Sequence, residues 1–380
     1  MTKKTIYLTI LLSILLSCKN DNENKTEYLE KQKIDEINSL ANRYLELNRF
    51  SGTILVAKDD TIIYNQSFGL ADYEKEIPFS FKTAFKIGEF TKLITSDLID
   101  RLIKEKKILR TDKISKHLTE IESDITVDEF INRDLDIDYN IAGRLIEKVT
   151  NKSYQENIEK YSAELELENT YFQKQKSSSA VGYLYHNYRG KGLELQQSPV
   201  YNVEEAFSSK GLKSTGNDLV KILKSQSKQM NIDGYLENDG FSYSILNDIE
   251  KKISIIVLSN RKHPVADEIS NSINSILDGK EYRLPLLREP FDIDKTVLKD
   301  FVGNYSLNEN VRFGVLNSND SLFVLMGPNK VHIVPQSSNQ FYMTEMDASM
   351  RFLRDSTGFA DKIVLLNGFI DSEQIAKRKK

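Results

Sequence analysis

The chain has 380 residues, 39% of them hydrophobic and 28% charged, the composition of an ordinary soluble globular body large enough for one big domain and a smaller one. Its 56 acidic and 52 basic residues leave a formal net charge of −4, which excludes a basic field able to hold nucleic acid, so no nucleic-acid partner is expected. One cysteine excludes a disulfide within the chain.

In chain order, Lys3 and Lys4 precede an apolar run from Ile6 to Leu16. This is the pattern of a secretory signal peptide and falls short of the roughly 20 residues that a membrane-spanning helix needs. The run closes on Leu15-Leu16-Ser17-Cys18, which resembles the lipobox of bacterial lipoproteins. The resemblance implies that Cys18 is lipidated after cleavage and holds the protein to the bacterial cell envelope, periplasm-facing or at the cell surface, since several acyl chains on one residue bind a membrane stably. Residues 19–29, opening KNDNENK, are too polar to pack and are expected to be a flexible tether.

A helix is predicted from about Glu30 to Asn48, with Ile34, Ile37, Leu40, Ala41, Tyr44 and Leu45 on one face. SGTILVAKDDTIIYNQSFG then predicts a hairpin turning at Lys58-Asp59-Asp60. From Thr91 to about Lys107, Leu93, Ile94, Leu98, Leu102 and Ile103 form a buried helical stripe. The segment from Ser208 to about Met230 predicts one more helix, opened by Ser214 or Thr215 as its cap. Strands follow at Phe241–Leu246 and Ile253–Ser259, and a helix at Ala266–Leu277. Strands near both ends with helices between them imply an α+β fold, one antiparallel sheet assembled from distant segments. After Leu284-Pro285-Leu286 the texture changes to short apolar runs, VRFGVL, SLFVLM, VHIVP, QFYMT, MRFLRD and KIVLL. They predict a separate all-β domain, barrel or sandwich. The expected organisation is a leader over residues 1–18, the tether over 19–29, a main domain over 30–285 and a β domain over 290–380.

Five stretches, FSGTILVAKDDTIIYNQSFGLADYEKEIPFS, TAFKIGEFTK, IAGRLIEKVTNKSYQE, GLKSTGNDLVK and ISIIVLSN, resemble the serine β-lactamase and penicillin-binding-protein-like hydrolases in order and spacing, above all the class C and esterase-like branch. From FVGNYSLNENVRF onward the tail resembles the β-barrel domain often appended to such hydrolases. The resemblance implies a serine at the start of a buried helix, activated by the helix dipole and by a lysine one turn on. This chain has Glu89 at the serine position and Lys92 at the lysine position. A carboxylate beside a helix N-terminus and a lysine at i+3 is well stabilised and for that reason a poor nucleophile. A simple ion pair holding the helix start is the plainer expectation for these two.

The family's Tyr-x-Asn motif falls on Asp134-Leu135-Asp136, counted back from Gly143, and a stretch lining the family's cleft is missing before it. Its Lys-Thr-Gly or His-x-Gly motif should lie shortly before Gly240-Phe241, where IDGYLENDGF offers neither lysine nor histidine. None of His117, His186, His263 and His332 is followed by x-Gly. Ser225-Gln226-Ser227-Lys228 matches Ser-x-x-Lys by chance, and Lys213-Ser214-Thr215-Gly216 belongs to a structural stretch. Asp134, Asp136, Asp138 and Asn140 alternate like a calcium loop, but Tyr139 and Leu145 occupy its glycine and glutamate positions, so a solvated loop with capping acids is expected and no metal or cofactor. Glu89, Asp134 and Asp136 all exchange a neutral family residue for an acid, which implies an acidic former site suited to a cation, an amine or a peptide contact. Carboxylates spread over more than about 10 Å would remove the basis for that expectation. Two functions stay open: a catalytically inactive binding or structural protein on a hydrolase scaffold, and an active serine hydrolase of peptidoglycan peptides, D-amino-acid amides or esters with another nucleophile.

Overall fold

The computed structural model describes residues 21–59, 61–132, 140–172, 178–187, 193–199, 207–226, 228–236, 238–262, 265–327, 329–343, 348–366 and 374–379. Helix α1 spans Asp21–Glu46. The expected flexible tether is therefore corrected from Asp21 onward: its backbone is helical and continuous with the packed part. That part buries Ile37, Leu40, Ala41 and Tyr44, and a helix already nucleated by packing extends at little cost through a stretch without glycine or proline.

The hairpin β1 (Gly52–Lys58) and β2 (Thr61–Phe68) joins three strands from the far end of the main domain, β6 (Met230–Leu236), β7 (Phe241–Asp248) and β8 (Ile253–Ser259). Their order is β6-β7-β8-β1-β2 and every neighbouring pair is antiparallel. Because β1 and β8 are covered on both faces, they read as nearly unbroken apolar runs rather than alternating ones. Ile54, Val56, Ile255 and Val257 face α1 and the helix α7 (Ala266–Leu277). Leu55, Ala57, Ile256 and Leu258 face the helical lobe on the other side.

At the centre of that lobe is α2 (Phe90–Lys104), which buries Phe90, Thr91, Ile94, Thr95, Leu98, Ile99 and Leu102. The two threonines were not legible as core, and both are bonded: Thr95 Oγ1 donates to the Ser208 carbonyl at 2.8 Å and lies 2.7 Å from the Tyr154 hydroxyl, and the Leu212 amide donates to Thr91 at 3.3 Å. Around α2 pack α3 (Asn140–Thr150), α4 (Tyr154–Glu164) and α5 (Phe207–Lys210). Strand β3 (Phe85–Lys86) leads into α2 and pairs with β5 (Leu212–Ser214), which also pairs with β4 (Tyr171–Phe172).

The single helix expected over 208–230 is corrected to three elements, α5, β5 and α6 (Gly216–Lys224), followed by the unforeseen strand β6. Thr215 is the cap of α6, accepting the Asp218 amide, while Ser214 is a strand residue. Ladder bonds to β3 and β4 held Leu212–Ser214 extended against a helical spacing. The tail is a closed barrel of eight antiparallel strands, β9 (Gly303–Ser306), β10 (Arg312–Ser318), β11 (Ser321–Met326), β12 (Asn329–Pro335), β13 (Gln340–Met343), β14 (Ser349–Arg354), β15 (Ala360–Leu366) and β16 (Gln374–Arg378). Its interior is filled by Phe301, Tyr305, Phe341 and Phe352, so it is a packed core and not a chamber.

One buried carboxylate joins two parts of the lobe. Asp218 accepts from the Glu168 and Asn169 amides and from the Thr170 hydroxyl, at 3.2, 2.7 and 3.0 Å. Asp218→Ala strips three donors of their acceptor at once and is expected to cost about 3 kcal/mol. Urea unfolding checks this, and a loss below about 1 kcal/mol would mean that water replaces the carboxylate freely.

Candidate functional site

The site begins where β3 runs into α2. Ile87 still bonds to β5 through its amide, at 3.2 Å to the Leu212 carbonyl. Gly88 then turns with φ +51°, and Glu89 occupies the N-cap position of α2 with φ −65°. The Glu89 side chain does not cap the helix. It turns instead toward two ammonium groups: Lys92 Nζ lies 3.3 Å and Lys210 Nζ, from α5, 3.4 Å from the same oxygen, Oε1. Partial burial pushes the Glu89 carboxyl up, but Lys92 and Lys210 outweigh it and hold the group below the ordinary carboxylate value. All three side chains keep substantial exposure, 46%, 31% and 44% for Glu89, Lys92 and Lys210. At that exposure each pair is worth less than about 1 kcal/mol.

The Glu89 amide points the other way. It donates to the hydroxyl oxygen of Tyr243 at 3.0 Å. Tyr243 comes from the middle of β7, directly opposite Gly234 on β6, and is buried. Its ring is wedged between two glycines: a Cβ on Gly88 would sit 2.3 Å from Tyr243 Cε1, and a Cβ on Gly234 2.8 Å from its hydroxyl oxygen. No other residue type fits at either place without displacing the ring. Burial pushes the phenol up to about 12; the Glu89 N–H opposes this, and the charges of Glu89 and Asp233 add to it. The phenol is therefore neutral across the physiological range.

The strand edging the site is β6, and the residues it brings beside Tyr243 are Asp233 and Gly234. A little farther along, Lys86 pairs with Asp239 at 2.8 Å, and Lys213 stands opposite Lys86 in the β3–β5 ladder. Burial and then the Lys86 charge lower the Lys213 ammonium, against the pull of Asp239. Ser214 is buried and bonded to Thr170, so the Lys213–Gly216 stretch is structural here. Ser225 closes α6, its hydroxyl donating to the Ile222 carbonyl.

Asp134, Asp136 and Asp138 lie outside the described residues, as do Cys18 and Ser227. Of the three acids expected at the site, Glu89 is the one among the described residues, and it stands as one carboxylate between two ammonium groups. Of the histidines, His117 contacts Asp112 at 2.9 Å, and His332, on barrel strand β12, is buried against Phe323. The side chain of His186 and all of His263 lie outside the described residues. Among the described residues no group of three or more His, Cys, Asp or Glu is placed to hold a metal ion.

The Beta-lactamase family model matches residues 36–132, the hairpin and α2 with Glu89 and Lys92 inside it. Over that stretch the chain is similar to the β-lactamase and penicillin-binding-protein family. It is 22% identical to penicillin-binding protein 4* of Bacillus subtilis (strain 168), over 93% of this chain and 100% of that protein. It is 24% identical to teichoic acid D-alanine hydrolase of Staphylococcus aureus (strain MRSA252) over 48% of this chain, and spans 55% of that protein's length. The octameric penicillin-binding protein homologue from Pyrococcus abyssi shares the fold, with a TM-score of 0.53 at 19% identity over 90% of this chain and 100% of that one. The fold is thus β-lactamase/transpeptidase-like with an eight-stranded closed barrel behind it.

Sequence reading missed Tyr243, Lys210 and Gly234. Only Gly234 left a signal, a glycine inside a strand, which marks a close approach by another group.

Gly88→Ala meets both a positive φ and the Tyr243 ring and is expected to destabilise the domain by about 1–3 kcal/mol, read from the shift of its denaturation midpoint. For Glu89 the sign follows from its lowered carboxyl: the contribution to stability is full above the ordinary carboxylate value and is lost as pH falls through the folded one. Glu89→Gln should accordingly flatten the acid limb of the stability profile below about pH 4.5, and unchanged curves for the two proteins would contradict the pairing.

Proposed function

We propose that this protein is an exported lipoprotein of the bacterial cell envelope that uses a β-lactamase-type scaffold for binding or structure and does not form an acyl-enzyme. The observation that carries the reading is Glu89 at the head of α2, paired with Lys92 and Lys210. A carboxylate held below its ordinary value by two ammonium groups has little nucleophilicity to give, and an acyl group on it would be a labile mixed anhydride. β6 adds to this, because beside Tyr243 it brings an aspartate and a glycine and no cationic residue to hold a substrate carboxylate.

Membrane attachment through lipidated Cys18, and a small-molecule or peptide ligand in the former cleft, complete the proposal. Both rest on sequence, the first on the Leu-Leu-Ser-Cys ending of the apolar leader and the second on the retained scaffold. A second reading has one observation in its favour. The relatives include proteins named for penicillin binding and for hydrolysis of D-alanine from teichoic acid, which suits a hydrolase acting on D-amino-acid amides or esters or on peptidoglycan peptides.

The readings separate on covalent chemistry. Incubated with a fluorescent penicillin and with a serine-directed fluorophosphonate, the native chain should acquire no adduct, whereas a labelled peptide located by mass spectrometry would favour the hydrolase. Cys18→Ala is expected to move the protein from the membrane fraction to the soluble one, and unchanged fractionation would refute the lipid anchor.

A further inference from the structure

Residue 89 is usually the point at which such a site is called broken, yet the backbone at that point is also occupied. Preorganised N–H donors are what stabilise the negative charge that develops on an acyl group's carbonyl oxygen, and the backbone donor that residue 89 itself offers to such a group is its own amide. In this protein that amide is not waiting for a ligand. It is spent on the Tyr243 hydroxyl at 3.0 Å.

We propose that Tyr243 is an internal ligand of the α2 head, a plug that closes the site to acyl donors independently of the residue at position 89. Three features argue that the contact is built in and not a nearest-neighbour accident. The tyrosine is fully inserted, and its hydroxyl reaches the one amide of the first turn that has no backbone acceptor: Phe90, Thr91 and Lys92 bond to Ile87, Gly88 and Glu89. Glycines stand on both sides of the ring at separations where a Cβ could not be accommodated. The strand bearing it is paired on both edges, Tyr243 opposite Gly234 on β6 and opposite Leu258 on β8, so two ladders fix the register that sets its ring beside the head of α2. An oxygen atom of the protein thus sits where a substrate oxygen would have to go. The plug deepens the non-acylating reading above, but it makes a separate claim, that restoring a serine would not restore the chemistry.

The test uses the full chain in four forms: native, Glu89→Ser, Glu89→Ser with Tyr243→Phe, and Glu89→Ser with Tyr243→Ser. Each is checked for cooperative unfolding and then timed with the fluorophosphonate and the fluorescent penicillin. Tyr243→Phe removes one oxygen atom and frees the amide while keeping the ring, and Tyr243→Ser opens more space if the ring edge still obstructs. The expected result is that Glu89→Ser alone stays at the background rate and that at least one double variant labels about 10-fold faster or more, the lower end of what one freed oxyanion donor supplies. The plug is overturned if Glu89→Ser labels as fast as the double variants, or if both double variants are folded and gain nothing. Labelling of the native chain would overturn the previous subsection's reading alone, since the comparison among the serine variants still decides this one.

Discussion

The head of α2 has to be seated on the sheet, and one hydrogen bond with its surrounding glycines does the seating. Glu89 offers an amide that the helix cannot satisfy, because the first N–H groups of any helix lack an intrahelical acceptor. Tyr243 offers a buried hydroxyl that needs a partner, and each resolves the other's cost at 3.0 Å. Gly88 and Gly234 are consequences of that seating, since the ring passes through the space their side chains would take. The register of β7 between β6 and β8 fixes where the ring stands. What holds the scaffold together at this point is therefore also what fills the position at which chemistry would occur.

The charges at the site play a smaller part. Glu89, Lys92 and Lys210 form a half-exposed group whose pairwise energies are modest in water. Their effect is on reactivity rather than stability: two ammonium groups keep the carboxylate ionised and quiet. The Asp233 charge acts on Tyr243 beside them, so the described groups around the head of α2 carry both signs.

Much of the fold was legible because it follows from periodicity. The hairpin at Lys58-Asp59, the core stripe of α2 and the helix Ala266–Leu277 appear where apolar spacing puts them. The failures have physical causes. Leu212–Ser214 sits inside a helical pattern but is held extended by pairing with β3 and β4, a long-range effect that local spacing does not carry. Met230–Leu236 is an edge strand whose burial alternates throughout, but a glycine stands at one of its inward positions and Asn231 and Asp233 at outward ones, which hid it. Thr91 and Thr95 are core residues because their hydroxyls find partners on distant segments. At the site, Glu89 and Lys92 were readable from the spacing of one motif. Tyr243 was not, since nothing in FSYSILND says that the tyrosine will meet an amide 154 positions earlier in the chain.

The central claim, that the Glu89 amide is engaged from within, is tested most directly by hydrogen exchange at that single N–H. An N-cap amide open to solvent exchanges rapidly, whereas one bonded to a buried hydroxyl exchanges only when the α2 head opens. The account predicts protection at Glu89 comparable to that of the α2 interior in the native protein, and selective loss of that protection in Tyr243→Phe. Free exchange at Glu89 in the native protein, beside a protected α2, would contradict it.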